Sequence, residues 1–363
     1  KTSRYNEPSL QEIYEQCVNC GLCLRECSFL GSLFGSRESI IQDIEAAGAT
    51  TKTLYSCTMC DLCQTICPSE LNIGRAYLKL RQEKGPLPVQ KKFIDKDQEW
   101  VLSDNFAIAI AGTGSDGCQR VFFPGCHLSG HSSRLVIQTY THLKQHLRDV
   151  GIMLGCCGAA RREVGEDDLF RQTLEKVDAE MKKLGASELI VACPNCYYAF
   201  TEYERPYRIR SVYEVLAEIE PPGIPGNQQH VFTIHDPCRA RWEFGMQDAI
   251  RLLITRAGHQ IQEMPYSRDL TLCCGQGGQI PFANMPLSKT MARSRAAQAE
   301  ADIVTYCASC RDALAPEKPA LHILDLLFNP AWQEALHEPA GKPSAKKESQ
   351  AALRAQLLEE SGG

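Results

Sequence analysis

The chain has 363 residues, 44% of them hydrophobic, and a formal net charge of −5. That length supports a sizeable core divided over two or three domains, and the acidic balance gives no footing for nucleic acid or an anionic membrane surface. No apolar run approaches the roughly 18–20 residues a membrane span needs, no charged and apolar leader opens the chain, and the 19 cysteines are what needs explaining.

In chain order, Leu10–Gln16 reads as a short helix. Cys17-Val-Asn-Cys20-Gly-Leu-Cys23-Leu-Arg-Glu-Cys27 follows, and Cys57-Thr-Met-Cys60-Asp-Leu-Cys63-Gln-Thr-Ile-Cys67-Pro68 repeats its spacing. Three thiolates two residues apart wrap one face of a cubane, and the fourth points away to a second cluster. The spacing predicts one 4Fe–4S cluster on Cys17, Cys20, Cys23 and Cys67. It predicts another on Cys57, Cys60, Cys63 and Cys27. Between the runs, Ser36–Gly48 has helical spacing with a serine start and a glycine stop, and Ile73–Glu83 is helical as well. This segment resembles the α-helical ferredoxin modules of respiratory oxidoreductases.

Residues 86–118 read as a connector. Phe106–Ala111 fits either a strand or a packed helix. Gly112–Gly117 lacks the glycine and lysine spacing of a phosphate-binding loop. Cys118 stands outside every pattern and reads as an ordinary free cysteine.

Residues 119–330 read as an internal duplication. Cys126, Cys156-Cys157-Gly158 and Cys193-Pro-Asn-Cys196 are answered by Cys238, Cys273-Cys274-Gly275 and Cys307-Ala-Ser-Cys310. In the first copy, strands are expected at Val121–Phe123, Ile152–Leu154 and Leu189–Ala192. In the second they fall at Val231–Ile234, Ile261–Met264 and Ile303–Tyr306. Longer amphipathic helices are expected at Ser132–Val150, Asp167–Leu184, Met246–Ala257 and Ser288–Ala299. Alternating strands and helices predict a parallel sheet in each copy, with the cysteines beyond the strand carboxyl ends and close to helix N-termini. CxxC and CC spacings suit metal better than a disulfide framework, and the compartment they imply is reducing, an anaerobe's cytoplasm. Five cysteines exceed what one cubane or one zinc uses.

The tandem C…CCG…CxxC pattern behind a two-cluster helical segment resembles the CCG domain pair of heterodisulfide reductase catalytic subunits, in the fused D-type arrangement. The same architecture occurs in iron–sulfur subunits of glycolate oxidase, lactate utilisation and anaerobic glycerol-3-phosphate dehydrogenase systems. The fold so implied is mixed, with an α-helical two-cluster ferredoxin domain over 1–85, a connector over 86–118 and two α/β CCG domains with parallel sheets. These span 119–222 and 223–330, and a flexible tail, 331–363, carries a short helix near Ser349–Glu360. The resemblance further implies a noncubane 4Fe–4S cluster on Cys126, Cys156, Cys157, Cys193 and Cys196. A second would sit on Cys238, Cys273, Cys274, Cys307 and Cys310, with zinc in one CCG site as the alternative.

On this reading electrons pass from the two cubanes to the paired noncubane clusters, which reduce a disulfide. The alternative is an electron-relay subunit of a flavin-dependent 2-hydroxyacid or glycerol-3-phosphate dehydrogenase. His127 and His235 are candidate proton donors, or hydrogen-bond donors to cluster sulfurs or loop carbonyls. Arg239 and Arg241 either pair with an anionic substrate or form salt bridges with Asp236 or Glu243. The expected partner is a flavoprotein, or a membrane cytochrome or quinone-reactive subunit. The expected location is the cytoplasm, or the inner membrane face through such a partner.

Overall fold

The computed structural model describes residues 8–45, 51–112, 118–220, 222 and 229–362. The N-terminal segment is a packed set of short helices. Leu10–Gln16 is opened by Ser9 and closed at Cys17; the Ser9 hydroxyl accepts from Glu12 N–H while the Glu12 carboxylate accepts from Ser9 N–H. The insertion between the cysteine runs forms the helix Arg37–Glu45, and its Ile40, Ile41 and Ile44 reach the same core as Phe29, Tyr55 and Tyr77. Its expected glycine stop lies outside the described residues. Asn72 caps the helix Ile73–Lys84 by accepting from Arg75 N–H at 3.0 Å.

The expected connector is more ordered than its composition suggests. It contains the helix Pro88–Val101 and a strand, β1, at Ile108–Ile110, which settles the ambiguity at Phe106–Ala111. The loop that resembles a phosphate-binding turn falls largely outside the described residues.

Two sheets follow. The first comprises β1 with β2 (Arg120–Phe123), β3 (Val150–Leu154), β4 (Glu188–Val191) and β5 (Arg208–Ser211), in the order β1-β3-β2-β4-β5. Only β1 runs antiparallel, along β3. The second comprises β6 (Val231–His235), β7 (Gln260–Gln262), β8 (Asp302–Thr305) and β9 (Ala320–His322), all parallel, in the order β7-β6-β8-β9. Without β1, the first sheet has the order of the second, so the duplication seen in the cysteines is also one of topology.

One apolar core spans both copies. Tyr213 and Leu216 from the first pack with Ile250, Leu253 and Leu324 of the second. The Tyr213 hydroxyl lies 2.7 Å from the carbonyl of Ala192 and 3.0 Å from that of Tyr306, the residues just before Cys193 and Cys307. It thereby pins the two CxxC motifs to each other.

The C-terminal segment corrects an expectation. In place of a flexible tail, Pro343–Gly362 is a helix packed on Cys126–His131 and Ser133–His146. Leu353 and Leu357, one turn apart, are buried. Gln350 Nε2 donates to the Cys126 carbonyl at 2.9 Å, and Ser349 Oγ donates to that of Ser129 at 2.8 Å. The charged residues between these contacts made the segment read as solvated; its leucine pair supplies enough of a stripe to dock it.

Candidate iron–sulfur site

The two N-terminal loops take one backbone shape. Asn19 and Met59 both have positive φ, as do Gly21 and Asp61, which open the helices Leu22–Glu26 and Leu62–Ile66. Each loop curls around its three cysteines, and the fourth crosses over as the spacing predicts. Burial pushes the Cys23 thiol up to about 11, and Cys17, Cys67 and Cys20 add to the rise. Cys63 is raised by burial and then by Cys57, Cys60 and Cys27. So Cys17, Cys20, Cys23 and Cys67 gather in one place, and Cys27, Cys57, Cys60 and Cys63 in another.

The two quartets differ in setting. Cys20 is exposed, and neighbouring Val18 is 64% exposed. The inner quartet abuts the second CCG copy. Cys60 is raised by burial and next by Cys273, and the Thr58 side chain hydrogen-bonds both. A Cβ on Gly278 would come within 2.2 Å of the Cys57 carbonyl oxygen, so this close approach requires glycine.

In each CCG copy the five thiols form a connected group. Cys126 and Cys157 hydrogen-bond to Cys156 and pull its thiol well down; Gln98 Nε2 at 3.2 Å and Gly158 N–H at 3.3 Å assist. Cys238 and Cys274 do the same to Cys273, with Gly275 N–H at 3.3 Å. The sulfurs of Cys238 and Cys273 are 3.9 Å apart, and those of Cys274 and Cys310 are 3.3 Å apart. These separations exceed a disulfide bond of about 2 Å and suit thiolates converging on shared metal. Cys126, Cys193 and Cys307 each start or cap a helix, so amide N–H groups face the sulfurs as expected.

The two groups also meet. The Cys193 thiol is pulled down by hydrogen bonds from Cys196 and then Cys307, which belongs to the other copy. All but Cys118 of the 19 cysteines therefore fall into four groups, with thiol contacts joining the inner quartet to the second CCG site and the second CCG site to the first. The donor set, all thiols with backbone amides turned towards them, fits iron–sulfur clusters. Cys118 is buried, and its thiol donates to the Arg120 carbonyl.

Other candidates separate. His127 is exposed beside Cys126, and its Nδ1 lies 3.0 Å from Ser309 Oγ inside the opposite CxxC motif. His235 is fully buried; burial and then Arg295 pull it down to about 3, so it is neutral and does not suit a proton donor. Arg239 pairs with Glu163 at 3.0 Å and stacks over Tyr198, rather than with Asp236 or Glu243. Arg241 is buried and spends its guanidinium on backbone carbonyls, including Cys60 at 2.9 Å and Thr271 at 2.7 Å, which fastens the second copy to the inner quartet. Asp236 pairs instead with Arg251 at 2.9 Å. Gln98, Thr58 and Tyr213 carry no sequence signal, since their partners become neighbours only in the fold.

Residues 13–71 match the 4Fe–4S dicluster domain family, and residues 120–201 and 232–315 match the cysteine-rich domain family. The chain is 25% identical over 362 residues to the D-type subunit of the dihydromethanophenazine:CoB–CoM heterodisulfide reductase of Methanosarcina mazei, covering 81% of this chain and 86% of that protein. It is 24% identical over 345 residues to the B-type subunit of the fumarate reductase (CoM/CoB) of Methanothermobacter marburgensis, covering 86% and 68%. It is also 23% identical over 277 residues to the EtfAB:quinone oxidoreductase of Syntrophomonas wolfei, covering 66% and 38%. No helix among the described residues is long and apolar enough to cross a membrane. Helical dicluster segment, duplicated α/β sheets and converging cysteines agree with these matches: the chain belongs to the iron–sulfur oxidoreductase subunits that join a 4Fe–4S dicluster domain to tandem cysteine-rich domains, as the D-type heterodisulfide reductase subunits do.

Proposed function

We propose that this subunit takes electrons from a flavoprotein, or a membrane cytochrome or quinone-reactive partner, and reduces a disulfide at its paired CCG sites. Cys17, Cys20, Cys23 and Cys67 would hold one cubane 4Fe–4S cluster, and Cys27, Cys57, Cys60 and Cys63 the other. Cys126, Cys156, Cys157, Cys193 and Cys196 would hold one noncubane cluster, and Cys238, Cys273, Cys274, Cys307 and Cys310 the second. The observation that carries the reading is the junction of two complete five-cysteine sets at Cys193 and Cys307. A relay subunit needs no second complete set beside the first.

When bound, the paired clusters supply one electron each, so that RSSR′ + 2e⁻ + 2H⁺ gives RSH + R′SH. The chain's own residues do the rest. Cys126, Cys193 and Cys238 are only half-buried and would be the thiols nearest a substrate, while the other seven CCG cysteines are shut away from water. His127, exposed beside Cys126 and hydrogen-bonded to Ser309, would pass a proton to a leaving thiolate. Arg239 has its charge committed to Glu163 and orders the loop behind Cys238. The subunit would work in the cytoplasm, or at the inner membrane face when its partner is membrane-bound.

Reduced protein mixed anaerobically with a disulfide tests this. Thiol release in step with reoxidation of the protein is the expected result. Reoxidation by a flavoprotein acceptor with no thiol released would instead favour the relay reading, to which the likeness to EtfAB:quinone oxidoreductase gives weight.

A further inference from the structure

The two CCG sites are built alike and surrounded differently. Phe123 and His235 are the last residues of β2 and β6, and they hold the same register, Phe123 opposite Val191 and His235 opposite Thr305. Both are fully buried. Phe123 sits in an apolar cluster and packs edge to face with Phe200 at 5.1 Å. His235 is polar in the same place. A ring nitrogen of His235 and the sulfurs of Cys274 and Cys310 all lie within 4.8 Å of one another.

The tautomer of His235 follows from its other neighbour. Arg295 Nε donates to His235 Nδ1 at 3.1 Å, and a guanidinium can only donate. Nδ1 is therefore the acceptor of a neutral ring, and the proton sits on Nε2, which has no hydrogen-bond partner among the described residues. A protonated Nε2 offers no lone pair to a metal, but it can donate to sulfur. Arg295 is itself held by Gln298 at 2.7 Å and Thr271 at 3.3 Å. Its guanidinium, charged at neutral pH, lies beside Cys274 and Cys310.

We infer that His235 is a positioning residue whose Nε2–H hydrogen-bonds the Cys274–Cys310 sulfur pair and, with Arg295 behind it, holds the second CCG site at a higher reduction potential than the first. Hydrogen bonds to cluster sulfurs and nearby positive charge both favour the reduced, more negative state. The site nearest the inner quartet is thus the first of the pair to fill. This rests on the proposed clusters at both CCG sites, and iron content tests that separately from potential.

The experiment is an anaerobic redox titration followed by electron paramagnetic resonance, on the full chain with iron counted in every sample. H235F copies the residue of the first site, and H235Q keeps an N–H donor. With full iron content, H235F is expected to lower the potential of one CCG site and leave the other and both cubanes where they were; H235Q is expected to restore most of the shift. An unmoved potential in iron-replete H235F overturns the inference. So does loss of one cluster's iron in both variants, which would make His235 a ligand. Should H235F not fold, the unmodified protein decides. Two separate CCG reduction waves, with a nearby exchangeable proton at the higher-potential site, are expected; a single wave, or no such proton, overturns it.

Discussion

His322 and Tyr213 meet at the seam between the two CCG copies, with the Tyr213 hydroxyl 3.4 Å from His322 Nε2. Burial first, and His131 second, pull His322 from the usual 6.5 down to about 4. Its folded value lies below its unfolded one, so the unfolded chain binds the extra proton. The contribution of neutral His322 is whole above pH 6.5, is lost as the pH falls towards 4, and changes no further below that. The stability slope from this group is roughly 1 kcal/mol per pH unit inside that window. H322N keeps an acceptor for the Leu324 N–H that His322 now caps, so its denaturant midpoint should vary less between pH 6.5 and 5 than that of the unmodified protein. An equal slope would mean His322 is not held neutral. Tyr213 makes a second expectation. Y213F leaves the paired carbonyls of Ala192 and Tyr306 short of a buried donor and should cost about 1–3 kcal/mol in an anaerobic denaturant titration.

The elements show which parts of the fold a sequence can carry. Asp167–Leu184 is found with the bounds its spacing predicts, because an amphipathic helix states its own period. β2, β4, β6 and β8 are short apolar runs and read easily. β5 and β9 do not: β5 is Arg-Ile-Arg-Ser on a sheet edge and β9 has three residues, so neither shows a pattern until its neighbour is in place. The gathering of the cysteines into groups was legible because CxxC and CC spacings keep the thiols of each run close. The meeting of Cys193 with Cys307, and of Cys60 with Cys273, was not, since it depends on how three folded units pack. The same reason hid the C-terminal helix, whose two leucines gain meaning only against Cys126–His131. L353A should cost about 2–4 kcal/mol and loosen iron at the first CCG site, measured by denaturation and metal analysis; a loss under about 0.5 kcal/mol would restore the picture of a solvated tail.

At the scale of the molecule, thiol contacts link the inner quartet to the second CCG site and that site to the first, with Cys20 exposed at the outer quartet and Cys126 half-buried beside exposed His127. The thiols of the inner quartet meet those of the second CCG site at Cys60 and Cys273, and those of the first CCG site meet the second at Cys193 and Cys307, so the two should fail differently. Disabling the first with C157S should still allow rapid reduction of the second. Disabling the second with C274S should leave the first slow to reduce through the ferredoxin-like segment. Freeze-quenched spectra after mixing with a reduced electron donor distinguish the cases, and equal rates in both variants would contradict a route that follows these thiol contacts.

The proposed disulfide reduction requires full clusters at both CCG sites, and anaerobic iron and acid-labile sulfide analysis tests that most directly. Four clusters require about 16 iron atoms per chain with matching sulfide. About eight iron atoms, with zinc making up the balance, would contradict the assignment and remove the basis for disulfide reduction.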